Sequence, residues 1–360
     1  MNGAIVKCRT FLLSVICLLY FVACTQHDTV DLPVSLVSEF VENNSIPGLS
    51  VTVSKGGEIL WSEGFGYADL EQQVKVDPAK TKFRIGSVSK TLTATAIALL
   101  MEEDKLDLDV PIQQYVPEFP QKKWDFTLRQ LGGHLAGIRH YRNNEFLLNK
   151  KYATVDEGLE IFKNDTLLFQ PGTQYTYSSY GWNLISAAVE KASADNFLNF
   201  MQRNVFMPVN MDATLPDYQD SLIIHRTRFY VTDGNGTVLN APAVDNSYKW
   251  AGGGFLSTTE DLTRFGNAIL KASVVNSETM QVLFKPQQTA DGRSTEYGIG
   301  WRRYQRDNGD VWYGHSGGSV GGTTIFVLSP EKQMVVAIVA NLSSVSYDGL
   351  QFEIADFFLK

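Results

Sequence analysis

The stretch Thr81-Lys82-Phe83-Arg84-Ile85-Gly86-Ser87-Val88-Ser89-Lys90-Thr91-Leu92-Thr93-Ala94-Thr95-Ala96-Ile97-Ala98-Leu99-Leu100 passes from a strand-like run into a long apolar helix. With the helix starting near Ser87 and running to about Asp104, Ser87 and Lys90 lie on one face, one turn apart. The helix start adds free N–H groups and positive potential beside the serine oxygen. A lysine held there in a poorly solvated cleft loses its proton and activates the hydroxyl. The same pair also fits an ordinary helix start with a solvated lysine, so the assignment depends on what lies downstream.

Two downstream segments matter. Pro171-Gly172-Thr173-Gln174-Tyr175-Thr176-Tyr177-Ser178-Ser179-Tyr180-Gly181-Trp182 places Tyr177 and Ser179 on a loop before a helix. Gly314-His315-Ser316-Gly317-Gly318-Ser319-Val320-Gly321-Gly322 lies along a predicted strand, where glycines let another backbone approach closely. In this order and at this spacing, Ser-x-x-Lys, Tyr-x-Ser and His-x-Gly resemble the serine β-lactamase-like and penicillin-binding-protein-like (class C type) family. Asn240 to Ser257, Tyr115 to Pro120, His134 to Tyr141 and Phe162 to Asp165 strongly resemble the mitochondrial serine β-lactamase-like branch found in animals. The likeness covers roughly residues 35–345.

That resemblance implies acyl transfer in two steps. Ser87 attacks a carbonyl with help from Lys90 and Tyr177, and water or another nucleophile resolves the acyl-enzyme. A nearby lysine is expected to lower the Tyr177 phenol so that it shuttles the proton. The N–H groups of Ser87 and Gly318 are expected to form the oxyanion hole, with His315, Gly317 and Ser179 beside the substrate. The resemblance implies no metal and no organic cofactor; the acyl donor is a small molecule or a peptide.

The departures narrow the chemistry. His315 stands where β-lactamases carry a permanently charged lysine, and an unperturbed histidine is mostly neutral at pH 7. Ser179 stands where asparagine is usual and lacks its amide. Both changes argue against efficient β-lactam hydrolysis. Tyr180, Trp182, Tyr248 and Trp250 either line the cleft, favouring an apolar or amphipathic substrate, or pack in the core. Three functions stay open: a serine hydrolase of peptides, amides or esters; a transacylase acting on a small amphipathic alcohol or amine; and a non-catalytic binding or assembly protein.

The N-terminus has a separate character. Lys7 and Arg9 precede the apolar run Phe11 to Ala23, which has the form of a secretory signal. Ala23-Cys24 resembles a bacterial lipobox, although Phe21 is bulkier than usual there. Lipidation of Cys24, with residues 25–33 as a tether, implies a lipoprotein of the bacterial cell envelope held at a membrane surface. Cys8, Cys17 and Cys24 are the three cysteines of the chain, so the body after Cys24 has no thiol and no disulfide. Loss of residues 1–23 removes Lys7 and Arg9 and moves the formal charge of −8 two units, to −10. Such acidity, without a basic aromatic patch, argues against nucleic acid. Self-association is left open.

The predicted elements give the fold class. A helix over Val34 to Asn44, strands over Gly48–Lys55 and Gly57–Tyr67, and strands over 311–315, 323–328 and 333–341 sit at the two ends. A mostly helical pattern over 127–207, interrupted by a loop around Pro171-Gly172 and with an amphipathic helix from Ser193 to Phe206, fills the middle. The expectation is an α+β protein: an antiparallel sheet flanked by helices (the serine β-lactamase/transpeptidase fold) with an inserted, mostly helical domain. Its parts are a signal segment 1–24, the tether, and a catalytic domain 34–360, with the sheet part near 34–86 and 251–360 and the helical part near 87–250.

Overall fold

A computed structural model describes residues 32–359. The signal segment with Cys24, and residues 25–31 of the tether, lie outside the described residues; residues 32 and 33 already belong to the first helix, α1 (32–43). One antiparallel sheet of seven strands draws on both ends of the chain. Its strands are β1 (Gly48–Lys55), β2 (Glu58–Asp69), β3 (Val74–Lys75), β4 (Arg302–Gln305), β5 (Val311–Ser319), β6 (Gly322–Ser329) and β7 (Met334–Ala340). They lie in the order β3-β2-β1-β7-β6-β5-β4, so the N-terminal hairpin joins the C-terminal meander where β1 pairs with β7, Val51 opposite Ile338. The sheet and its helices match the expected antiparallel α+β class.

Both faces of the sheet are covered, and the strand sequences show why. In β7, Met334, Val336, Ile338 and Ala340 join one core, while Val335, Ala337 and Val339 join the other. A strand apolar at every position is what two-sided burial requires. The first core is closed by α1 through Val37 and by α5 (Leu350–Leu359) through Ile354 and Ala355. The second is larger and contains α2 (Ser89–Glu102), α3 (Ser179–Ser193) and α4 (Thr259–Leu270). β1 meets α4 through small polar side chains. Ser50 Oγ and Thr259 Oγ1 lie 2.7 Å apart, and Ser54 Oγ donates to Asn267 Oδ1 at 2.8 Å. Those hydroxyls are fully buried and paired, which removes most of the desolvation cost of a polar strand face.

Helix ends follow their caps. Thr258 accepts from the N–H of Asp261 and starts α4, and Ser178 accepts from the N–H of Gly181 and starts α3. The middle of the chain departs from expectation. Residues 127–207 are not mostly helical: the short helices Leu128–Gly132 and Val155–Leu159 are separated by irregular chain that turns at Gly137, while the expected loop at Pro171-Gly172 is present, both glycines having positive φ. Nor does a single helix run from Ser193 to Phe206. Ala194, in the left-handed region, ends α3; Asn196 then caps a short helix, Phe197–Phe200, which runs into a π-helical segment, Met201–Phe206. The edge strand β4 and the helix Ser277–Phe284 have no counterpart among the predicted elements.

Candidate active site

Ser87 sits on a 3-10 turn, Gly86–Val88, immediately before α2. The turn is wedged against β5 at a distance only glycine permits. A Cβ on Gly317 would lie 2.0 Å from Ile85 O, and one on Gly86, which has φ +50°, would lie 2.6 Å from Gly318 O. The glycines expected to admit a substrate backbone therefore first admit the protein's own turn, bringing Gly317 and Gly318 beside Ser87. A three-stranded sheet steadies the approach to the turn. In it Phe83–Arg84 pairs with Phe255–Ser257, and Arg84 bonds to Asp217 at 2.6 Å, both nearly fully buried.

Lys90 is one turn further on and has no solvent exposure. Its Nζ lies 3.0 Å from Ser87 Oγ, 3.1 Å from Ser179 Oγ and 2.5 Å from Gly252 O. Desolvation, and then the charge of Lys249, hold its pKa well below the usual lysine value. A neutral amine has two N–H donors and one lone pair. Once deprotonated, with Gly252 O and Ser179 Oγ taking its two donors, the amine has its lone pair free for the Ser87 hydroxyl proton. This arrangement suits a base and needs no carboxylate.

Tyr177 donates from its phenol to Ser87 Oγ at 2.8 Å. The expected lowering of its pKa does not occur: burial pushes the phenol up, outweighing its hydrogen bonds to Ser87 and Ser179. Lys90 lies 5.0 Å from the ring centroid and does not offset that burial. Tyr177 is thus a protonated donor in the resting site.

His315 lies on β5 and is 3% exposed. Nδ1 is 2.5 Å from Ser316 O, so it carries the proton, and Nε2 accepts from Tyr297 O–H at 2.8 Å. Desolvation, and then Lys90, bring its pKa down to about 3, so the imidazole is neutral at pH 7. Both ring nitrogens are bonded within the protein.

A cleft of about 350 Å³ opens onto Ser87, Tyr177, Ser179 and Gly318. Tyr180, Trp182, Tyr248 and Trp250 do not line it; all are buried in the larger core. Its cations are Lys249 and Arg302, neither of which the sequence motifs single out. Lys249 is 2% exposed, and among the described residues no carboxylate or hydrogen-bond acceptor reaches its Nζ. The rings of Phe146, Tyr248 and Tyr141 surround it at 4.4, 5.3 and 5.6 Å. Burial, then the charge of Arg84, bring it down to about 7, with Asp217 opposing. His134 and His140 stand behind Tyr177, their ring centroids 4.3 and 5.4 Å from its own. They occur in the segment quoted for its resemblance, but their bonding to the Tyr177 loop spans about forty residues and leaves no local pattern.

A model of the family described as Beta-lactamase matches residues 34–355. The human protein named Serine beta-lactamase-like protein LACTB, mitochondrial, is 33% identical over 419 residues, covering 86% of this chain and 76% of that protein. The octameric penicillin-binding protein homologue from Pyrococcus abyssi superposes with a TM-score of 0.79 at 24% identity, covering 92% of this chain and 78% of its own. The D-amino acid amidase from Ochrobactrum anthropi SV3 does so with a TM-score of 0.78 at 21% identity, covering 92% and 98%. These two structural likenesses are in fold. No helix among the described residues is long and apolar enough to cross a membrane. The family match and the human relative together make this chain a member of the Beta-lactamase family, a family of β-lactamase-like serine hydrolases.

Proposed function

We propose that the protein is an envelope serine acyl-hydrolase that forms an acyl-enzyme on Ser87 from a peptide, amide or ester. The observation that carries this reading is the meeting of Lys90 Nζ and Tyr177 OH on Ser87 Oγ, at 3.0 and 2.8 Å, at the floor of the cleft. Neutral Lys90 accepts the serine proton as Oγ bonds to the substrate carbonyl carbon. The N–H groups of Ser87 and Gly318 receive the oxyanion. Tyr177 gives its proton to the departing nitrogen or oxygen as the bond to carbonyl carbon breaks, and Lys90 returns a proton to it. Water then adds to the acyl carbon, the acid leaves, and Ser87 regains its proton. The neutral, internally bonded His315 provides no cation for a β-lactam carboxylate, so penicillins are expected to be poor substrates. The fold shared with a D-amino acid amidase places amides among the first substrates to try.

A transacylase is the second reading, since no Asp or Glu among the described residues lines the cleft to activate a deacylating water. Anchoring through a lipid on Cys24 rests on the sequence, and self-association on the octameric homologue. The test is intact mass of residues 25–360 after treatment with a fluorophosphonate, activated esters and a penicillin. A Ser87-dependent mass increase is expected, and its decay in water against added alcohol separates hydrolase from transacylase. A protein that takes no adduct from any probe would instead be a binding protein.

A further inference from the structure

Tyr177 reaches Ser87 from a loop, and its phenol makes one hydrogen bond to that serine. The loop is gripped by the segment 134–140 at four points. Thr176 N–H donates to His134 O at 3.0 Å, and Ser178 Oγ donates to Arg139 O at 2.7 Å. The consecutive amides of Ser178 and Ser179 donate to His134 Nδ1 and His140 Nδ1, each at 3.2 Å. Nδ1 must be unprotonated in both rings to accept these bonds. Burial, the largest cause, lowers the pKa of both imidazoles and keeps them neutral, His140 down to about 4.

The geometry points to His134 and His140 as positioning residues: their Nδ1 atoms clamp two successive amides, and their rings pack against Tyr177 so that its phenol meets Ser87. This inference rests on the role of Tyr177 proposed above. His134 carries two costs that a simple packing residue avoids. Its φ of +63° lies in the left-handed region, and its Nε2 is buried with no partner among the described residues. Local violations of this kind gather where function constrains the chain. The competing account is helix capping, because the first amides of α3 need acceptors in any case. Capping alone predicts lost stability with unchanged chemistry, whereas a clamp predicts a lower kcat at similar KM.

The experiment measures kcat and KM with an activated ester for His134→Leu, His134→Asn, His140→Leu and His140→Asn, each alone and combined with Tyr177→Phe. Asparagine sets Oδ1 near the place of imidazole Nδ1 and tolerates a left-handed backbone. Each leucine variant is expected to lose roughly 100-fold in kcat, the effect of a small misplacement of a reacting group. Each asparagine variant should recover at least about tenfold of that loss, since the acceptor is restored. In the Tyr177→Phe background the leucine substitutions should cost less than about twofold, because the clamp then has nothing to position. Equal losses in both backgrounds, or asparagine no better than leucine, overturn the clamp. If His134→Leu does not fold, the His140 pair decides the same question. Full activity of Tyr177→Phe alone would remove Tyr177 from the reaction, and the underlying reading would fail first.

Discussion

The two walls of the cleft are built in different ways. On one side the Ser87 turn, the first residues of α2 and the glycines of β5 press backbone against backbone, with Gly317 too close to Ile85 for any side chain. On the other side Tyr177 comes from the loop before α3 and Ser179 from the first residue of α3, both held by side chains 39 and 44 residues earlier in the chain. That loop is tied down by Arg139, which bonds to Glu145 at 2.7 and 3.0 Å, to Ile161 O at 3.0 Å, and to Asp165. The nucleophile is therefore fixed by regular structure, and its proton partner by a polar network. The first kind of wall tolerates little change in volume. The second depends on every polar member staying paired.

The largest effect tests the first wall at its reactive atom. Ser87→Ala should lower turnover by on the order of 10⁴-fold or more and abolish the fluorophosphonate adduct, with the fold kept. Turnover within tenfold of wild type in the purified variant would place the chemistry elsewhere. Next comes the anchor of the second wall. Arg139→Met leaves Glu145 and Asp165 facing a methionine, and breaking such a network should cost about 3 kcal/mol of stability. Urea unfolding reads that loss. A variant as stable as wild type would mean that water already screens the cluster, and the contrast between the walls would weaken.

Lys249 sharpens the comparison because it stands in the cleft without the partners Lys90 has. Its folded pKa of about 7 lies below the unfolded lysine value, so the folded state binds fewer protons above pH 7. Stability from this site is then fully present above about pH 10.4, and is lost as pH falls towards 7. Lys249→Met removes that loss and should stabilise the protein at pH 7 by about 1–3 kcal/mol, with the gain fading towards pH 10. Since Lys249 is the second cause of the low Lys90 pKa, the acid limb of the activity profile should also move to higher pH. A destabilised Lys249→Met at pH 7 would show that the surrounding rings of Phe146, Tyr248 and Tyr141 outweigh the burial of the ammonium.

What the sequence made legible follows the same division. The strand β1 and the closing strands were readable because their signals are local: alternation and a short apolar run. The closeness of Ser87 and Lys90 was readable for the same reason, since three residues of spacing across a helix start fix a short distance. The direction of the Tyr177 shift was misread because burial, which no spacing encodes, governs it. Lys249, Arg302 and the two histidines escaped notice because their surroundings come from distant segments. The irregular chain after Gly132 reads as helix because its apolar residues recur. Gly137 and the left-handed His134 break the backbone regardless of that pattern, whereas the loop at Pro171-Gly172 is legible from its own residues.

The misplaced helix boundary near Ser193 yields the smallest and cleanest prediction. α3 ends where Ala194 adopts φ +55°, ψ 29°, a conformation in which a Cβ crowds the neighbouring carbonyl. The sequence gives no glycine there, so the pattern reads as uninterrupted helix, and the chain accepts the strain to turn into the Asn196 cap. Asn196 Oδ1 takes the amide of Leu198 at 3.0 Å, which secures the restart. Ala194→Gly removes the Cβ and should raise stability by about 0.5–1 kcal/mol, after allowing for the greater freedom of glycine in the unfolded chain. Ala194 is remote from the cleft lining, so kcat should not change. A loss of stability would mean that Ser193 and Asp195, bonded to each other across the turn at 3.2 Å, already hold the left-handed residue without strain.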